Sequence, residues 1–279
     1  MNIVFNGVLL RQDAMNVPFN DRAFCYGDGL FETIICRNGQ LAYWPDHFHR
    51  LSSGMSALSM QAPEGFDAIE TGNQIRQLLV SNAHTDTVRV RLQVWRRPGG
   101  LYTPLSAGVN YMITSQPCTP PKISMKEQAL FYDAVPVSFS AISAFKTCNA
   151  LPYVLAGISK TKAGVDDMIL LDVNENVSEC MASNLFWTRG NAVYTPSLLS
   201  GCIDGVMRKR LIQVLKTAGH TVEEGLFPKA SLLRADRVFC CNVAGIEWIR
   251  QVEQTPFTCP DRLGLEKLLA AGIQLPGPF

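Results

Sequence analysis

The chain has 279 residues, enough for a large core in one large domain or two joined ones, and 47% of it is hydrophobic. Its 25 Lys and Arg against 24 Asp and Glu leave a net charge of +1, too little field to favour nucleic-acid backbone or anionic lipid as a partner. The opening MNIVFNGVLLRQD lacks a basic leader and long apolar core, and no run reaches the apolar span of a membrane helix, so a cytoplasmic protein is expected.

In chain order, IVFNGVLL sets two short apolar runs about Asn6-Gly7, a hairpin signal, and FETIICRNGQLAYW repeats it about Asn38-Gly39. The chain therefore opens as antiparallel sheet. Pro45-Asp46 starts a helix in which Phe48, Leu51, Met55 and Leu58 recur at helical spacing, and FDAIETGNQIRQLLVSN predicts a second. VRVRLQVW and VNYMIT predict strands. SQPCTPPK, residues 115–122, is proline-rich and predicts a linker. The expected division is a domain over 1–117, a linker at 118–124 and a larger domain over 125–279.

Beyond the linker, LFYDAVPVSF predicts a strand and PYVLAGISKTKAG a helix. DDMILLDVNENVSECMASNLFWTRGNAVYTP, with turn signals at Asn174-Glu175-Asn176 and Arg189-Gly190-Asn191, predicts a β-meander. IDGVMRKRLIQVLKTAG predicts a helix ending on Gly219, and RVFCCNVAGIEWI a late strand. The class is α+β with two lobes. The nine cysteines form no C-x-x-C pair and sit mostly in apolar runs, which favours reduced, buried thiols; with four histidines, no zinc-ligand spacing is visible and no metal is expected.

Four features suggest chemistry. No lysine precedes position 122, and Lys146 follows a long, largely apolar stretch, where burial would lower the ammonium's pKa as a Schiff-base lysine requires. The plainer alternative is a solvated lysine at a strand-to-helix junction. In NVSECMASNLFW, period-two alternation puts Val177, Glu179 and Met181 on one face, so Glu179 is either a buried carboxylate needing a cationic or proton-donating partner or an exposed residue among incidental apolar neighbours. Gly201 and Gly205 bracket the start of the helix after SGC, where backbone N–H groups could hold a phosphate, although glycine before a helix is common. Arg50 in PDHFHRL is a phosphate clamp or a surface ion pair.

FNDRAFCYGDGLFETI, PDHFHRL, FKTCNALPYVLAG, LLDVNENVSECMASNLFWTRGNAVYTP and GCIDGVMRKRL together resemble the fold-type IV pyridoxal-phosphate enzymes, across nearly the whole chain and in the family's order. That family includes branched-chain and D-amino-acid aminotransferases and aminodeoxychorismate lyase. The resemblance implies a small N-terminal α/β lobe, a larger C-terminal β-rich lobe, pyridoxal 5'-phosphate between them, and commonly a homodimer. It implies that Lys146 binds the cofactor covalently and shuttles the proton, that Glu179 keeps the pyridine nitrogen protonated, and that Arg50 with the backbone of Val206 and Met207 holds the phosphate. Many relatives have threonine where Met207 stands, so Asn242 or Val243 is expected to supply compensating amides. Tyr153 matches a tyrosine near the cofactor hydroxyl.

Substrate features are divided. Arg89 and Arg91 share one strand face, with Arg96 and Arg97 at its end, and one of them could grip an α-carboxylate bidentately; a solvated, arginine-rich strand edge is the alternative. The R-x-H trap of D-amino-acid enzymes is replaced by GGLYTP, whose glycines and Tyr102 are similar to the lyase loop, though Leu101 stands where lyases have arginine. Phe24, Phe31 and Leu101 suit a pocket wall or an interface. Arg91 favours a transaminase working between an amino acid and a 2-oxo acid, with aminodeoxychorismate lyase as the alternative. A non-catalytic descendant should have lost Lys146 or Glu179, and a hydrolase using Cys148 or Cys180 lacks a histidine motif to activate the thiol.

Overall fold

A computed structural model describes residues 1–259 and 264. The described chain divides into two compact units, one holding Met1–Pro120 with Phe145–Asn149, the other Pro121–Ala144 with the described residues from Ala150. Each is built on its own sheets, giving three sheets among the described residues.

The first unit runs β1 (Asn2–Phe5), β2 (Val8–Arg11), α1 (Arg22–Tyr26), β3 (Gly29–Arg37), β4 (Gln40–Leu41), α2 (Trp44–Ala57), α3 (Ala68–Ser81), β5 (Val88–Arg96) and β6 (Val109–Pro117). Its sheet is ordered β2-β1-β6-β5-β3-β4 with every neighbour antiparallel. Both Asn-Gly turns lie where the sequence places them, Asn6 and Asn38 adopting positive φ with the glycine after each. In β5 the alternation is nearly complete: Val88, Val90, Leu92 and Val94 are buried, while Arg89, Arg91 and Gln93 take the opposite face. The buried face joins Leu51 and Met55 of α2 and Ile75 and Leu78 of α3 in one core. Asp67 caps α3, its side chain accepting from the N–H groups of Ile69 and Glu70.

The second unit contains β7 (Lys122–Lys126), β8 (Ala129–Val137), α4 (Leu151–Ala163), β9 (Asp167–Asp172), β10 (Val177–Cys180), β11 (Asn184–Arg189), β12 (Ala192–Pro196), α5 (Val206–Thr217), β13 (Thr221–Gly225), α6 (Lys229–Leu233), β14 (Arg237–Asn242), β15 (Gly245–Ile249), β16 (Gln251–Val252) and β17 (Thr255–Pro256). One sheet is ordered β10-β9-β8-β16-β17, the other β13-β12-β11-β14-β15-β7. Their facing sides share a core in which Ile169, Leu171, Val177 and Cys180 meet Leu185, Trp187, Val238 and Cys240. The other face of the first of these sheets packs Met168 and Leu170 against Ala156 of α4.

Two sequence expectations are corrected here. The stretch expected as one meander is divided: β9 and β10 pair in one sheet and β11 and β12 in another, with a single bridge, Cys180 to Ser183, at the crossover. Turn residues mark where the chain reverses but not which sheet receives the next strand. RVFCCNVAGIEWI forms two strands, β14 and β15, paired from Val238–Ile249 to Asn242–Gly245. Asn242 Oδ1 accepts from the N–H of Ala244 and closes that turn at 2.7 Å.

Candidate active site

Lys146 lies on an extended segment hydrogen-bonded to the start of β3. Phe31 N–H donates to the Lys146 carbonyl at 2.9 Å, and Cys148 N–H to that of Gly29 at 2.8 Å. The pairing fixes the backbone at position 146 against a core strand. The half-buried Lys146 side chain carries its Nζ 4.8 Å from the centre of the Phe31 ring. Arg91 shares that ring. Phe31 pairs with Gln93 and Thr33 with Arg91 across β3 and β5, so Phe31 and Arg91 are diagonal neighbours on one face, and the guanidinium stands 3.8 Å from the ring centre. Arg91 Nε donates to Gln93 Oε1 at 3.1 Å, and burial draws the guanidinium's pKa down.

On the opposite face of β3, Glu32 points into the core between Leu30 and Ile34 and meets the buried stripe of α2. Arg50 Nε and Nη2 donate to its two oxygens at 2.7 and 2.6 Å, and His47 Nδ1 contacts Oε2 at 2.7 Å. Arg50 is therefore buried in a bidentate pair, not the surface pair its sequence setting allows. Burial raises the Glu32 carboxyl, but the His47 hydrogen bond and the Arg50 charge outweigh it and hold it below the usual carboxylate range. Glu32 and His47 were not visible as partners from sequence. The only signal is the i, i+3 spacing of His47 and Arg50 opposite an acid in an otherwise apolar strand.

The remaining arginines of β5 divide. Arg96 is buried, donating to Asp28 Oδ2 at 2.9 Å and to the Leu58 carbonyl at 2.6 Å. Arg89 is exposed and bonds Gln116 at 2.8 Å. Tyr102 is 91% exposed, its ring 5.7 Å from that of Tyr26. The loop before it is held by Arg22, whose Nη1 donates to the Leu101 carbonyl at 2.6 Å.

In the second unit, Glu179 is buried at 3% exposure. The register of β10 on β9 shifts between Val177, which pairs with Leu171, and Glu179, which pairs with Leu170. This β-bulge puts the extra residue at Ser178 and turns Glu179 to the face opposite Val177, against the period-two expectation. There Tyr153 of α4 donates its hydroxyl to Glu179 Oε1 at 2.7 Å. Asn184 Nδ2 donates to Oε2 at 3.2 Å and the Ile203 N–H to Oε1 at 3.2 Å. Burial, then the Glu179 charge, raises the Tyr153 phenol so far that it remains a donor at any ordinary pH.

Asn184 also donates to the Ile203 carbonyl at 2.8 Å, tying the acid to the segment that enters α5. Gly205 is the N-cap of that helix and supplies no side-chain hydrogen bond; a Cβ there would collide with Asn184 Oδ1. Val206 and Met207, the first two helical residues, are buried, and α5 has no acidic residue in its first turn. Amides uncapped by a side chain beside a glycine-made recess are what a phosphate group needs. The Asn242 side chain donates to the Ala182 carbonyl at 3.1 Å and to Ser183 Oγ at 3.0 Å, and Val243 is half-buried in the turn that follows.

Comparison with known proteins gives the family. The model of "Amino-transferase class IV" matches residues 29–252. "Aminodeoxychorismate lyase" of Vibrio harveyi is 26% identical over 232 residues, 81% of this chain and 83% of the relative. "D-alanine aminotransferase" of Bacillus licheniformis is 26% identical over 248 residues, 86% and 83% of the two chains. The crystal structure of branched-chain aminotransferase from the thermophilic archaeon Thermoproteus uzoniensis with norvaline superposes with a TM-score of 0.89 at 18% identity, covering 99% of this chain and 96% of that one. The family match spans both units from β3 to β16, and the chain belongs to the class IV amino-transferase family.

Proposed function

We propose that the chain is a pyridoxal-phosphate-dependent transaminase that moves an amino group between an amino acid and a 2-oxo acid. The observation that carries it is the shared Phe31 ring, with the Lys146 amine at 4.8 Å and the Arg91 guanidinium at 3.8 Å. An amino acid bears its amine and carboxylate on one carbon, so an amine and a carboxylate-binding fork on one ring suit it.

The residues fit the cofactor. Within the first unit, Lys146 offers an amine for the aldehyde and Arg50 a guanidinium for the phosphate; within the second, Glu179 offers a buried carboxyl group for the ring nitrogen and Val206 and Met207 offer helix-start amides for the phosphate. When bound, pyridoxal phosphate supplies an aldehyde that condenses with amines and a ring that withdraws electrons. Lys146 Nζ is the base that takes the α-proton. Tyr153, Asn184 and the Ile203 N–H fix the Glu179 oxygens, so the buried carboxyl group is oriented by protein donors. Arg91 binds the substrate carboxylate, Phe31 supports the Arg91 guanidinium and the Lys146 amine, and Arg89 and Tyr102 are further substrate-binding candidates.

A second reading, 4-amino-4-deoxychorismate lyase, is favoured by the Vibrio harveyi relative and by the glycine pair before Tyr102. Purified protein should be yellow and lose its visible absorption band in Lys146→Ala. Assays with L-amino acids, D-amino acids and aminodeoxychorismate distinguish the readings: 2-oxo acid from an amino acid is expected, whereas pyruvate and p-aminobenzoate as the only products would overturn the transaminase.

A further inference from the structure

A recess of about 330 Å³ opens in the second unit, and Met125, Lys126, Lys160, Met181, Ser183 and Glu247 are among the residues that line it. That volume lies at the small end of the range of ligand pockets, roughly 300–1,000 Å³. Of the residues expected at the cofactor, only Asn242 also borders it.

The charges in the recess are matched unevenly. Lys126 is already paired, its Nζ 2.5 Å from Asp167 Oδ2 and 2.8 Å from Glu247 Oε2. One negative charge is left over in this group, and Glu247 presents it, its side chain 34% exposed against 3% for Asp167. Asp166 adds a further carboxylate, held by the N–H groups of Glu127 at 2.6 Å and Gln128 at 3.3 Å. Lys160, in the last turn of α4, is the reverse case. It is half-buried, and among the described residues its ammonium has no ion pair or hydrogen bond. The helix dipole favours lysine at 160 and 162 alike, but Lys162 stays exposed and only Lys160 lines the recess. An ammonium partly withdrawn from water gains from a carboxylate brought to it. The recess thus combines a cation lacking an anion with carboxylates in surplus, beside two methionines whose flexible side chains adapt to apolar groups.

We propose that this recess is an accessory binding site for a free amino acid with a small apolar side chain, its carboxylate on Lys160 and its ammonium on Glu247 or Asp166. The site rests on the recess and its charges and does not depend on the transaminase reading. One wall is the 181–183 turn between β10 and β11. There Cys180 N–H donates to the Ser183 carbonyl at 2.8 Å and Met181 N–H to the Met168 carbonyl at 3.0 Å. Glu179 and Asn184 stand at the strand ends that the turn joins, so an occupant stiffens the segment between them.

The test is hydrogen–deuterium exchange of the purified full-length protein with cycloleucine, a zwitterion that has no α-hydrogen to lose in transamination. Slower exchange is expected in peptides covering 180–183 and the end of α4, saturating with cycloleucine. Lys160→Glu should raise the half-protecting concentration about tenfold, the loss of one charge-assisted contact, and Lys160→Met should give a smaller rise. Arg91→Ala, which removes the proposed substrate clamp, should leave this protection unchanged. Cyclopentanecarboxylate, which lacks the amine, should bind about tenfold more weakly than cycloleucine. Absence of protection in both regions would overturn the proposal, as would equal protection in Lys160→Glu. Equal protection by cyclopentanecarboxylate would show a simple anion site and overturn the amino-acid assignment. A protein that forms no 2-oxo acid from any amino acid would overturn the transaminase and leave this site standing, because protection is read without turnover.

Discussion

Phe31 holds the Arg91 guanidinium and the Lys146 amine on one ring, and a cation over a π-face gains about 0.5–2 kcal/mol, so the ring positions Arg91 without neutralising it. A carboxylate in the same place would pair with Arg91 and defeat its use as a substrate clamp. Replacing Arg91 by Ala should therefore raise KM for the amino acid about 30-fold, the loss of a charge-assisted pair worth roughly 2 kcal/mol, with a smaller change in kcat. Arg91→Lys should restore little, because a point ammonium cannot form the two parallel bonds of the fork. Steady-state kinetics on the three proteins checks this, and an unchanged KM in Arg91→Ala would remove the arginine from the substrate site. Alternation in β5 identified the face Arg91 occupies, since Val88, Val90, Leu92 and Val94 leave it nowhere else to point. Sequence did not show which of four nearby arginines stands over an aromatic ring: Arg96 finds Asp28, Arg89 finds Gln116, and both partners are remote in sequence.

Strand β10 and the start of α5 show how an element sets the orientation of one carboxylate. The bulge at Ser178 reverses the face of Glu179, and no periodicity rule foresees a bulge, because the extra residue has no signature beyond the ladder it interrupts. The strands themselves were legible, since apolar runs bounded by Asn-Gly and Arg-Gly-Asn turns need only local chemistry. Tyr153 lies 26 residues from its acceptor and could be matched to Glu179 only once α4 was packed on the sheet. Tyr153→Phe keeps the ring in that packing and deletes the donor, so it should destabilise the protein by about 1–2 kcal/mol in urea unfolding; a smaller effect than a few tenths would mean that Asn184 and the Ile203 N–H suffice. At Gly205, an added Cβ must displace Asn184 and with it the bonds to Glu179 and to the Ile203 carbonyl. Gly205→Ala should lower Tm by about 5 °C and weaken phosphate retention at the helix start, read as faster loss of the cofactor's absorbance on dialysis. An unchanged Tm would show that Asn184 can move at little cost.

Both units keep protonated thiols in their cores, which gives the whole molecule a pH dependence on the alkaline side. Burial pushes Cys36 in the first unit up to about 11 and Cys202 in the second up to about 12, and raises Cys241 as well, from an ordinary value near 9. The folded state holds these protons after the unfolded chain has released them. Between pH 9 and the folded values the unfolded state therefore binds fewer protons, and stability falls as pH rises, with nothing lost below the unfolded value. Each thiol contributes a slope of about 1.4 kcal/mol per pH unit once the unfolded chain is ionised, so three approach roughly 4. Lysine and tyrosine also titrate in this range, and the measurement is accordingly a difference: urea unfolding of the native sequence and of a Cys36→Ala, Cys202→Ala, Cys241→Ala variant from pH 7 to 10.5. The variant should be less stable near neutrality, because each substitution leaves a small cavity, and the gap should narrow steadily above pH 9. Curves that stay parallel through pH 10.5 would mean that the thiols ionise in place, and that water reaches cores which the packing of Cys36, Cys202 and Cys241 closes to it.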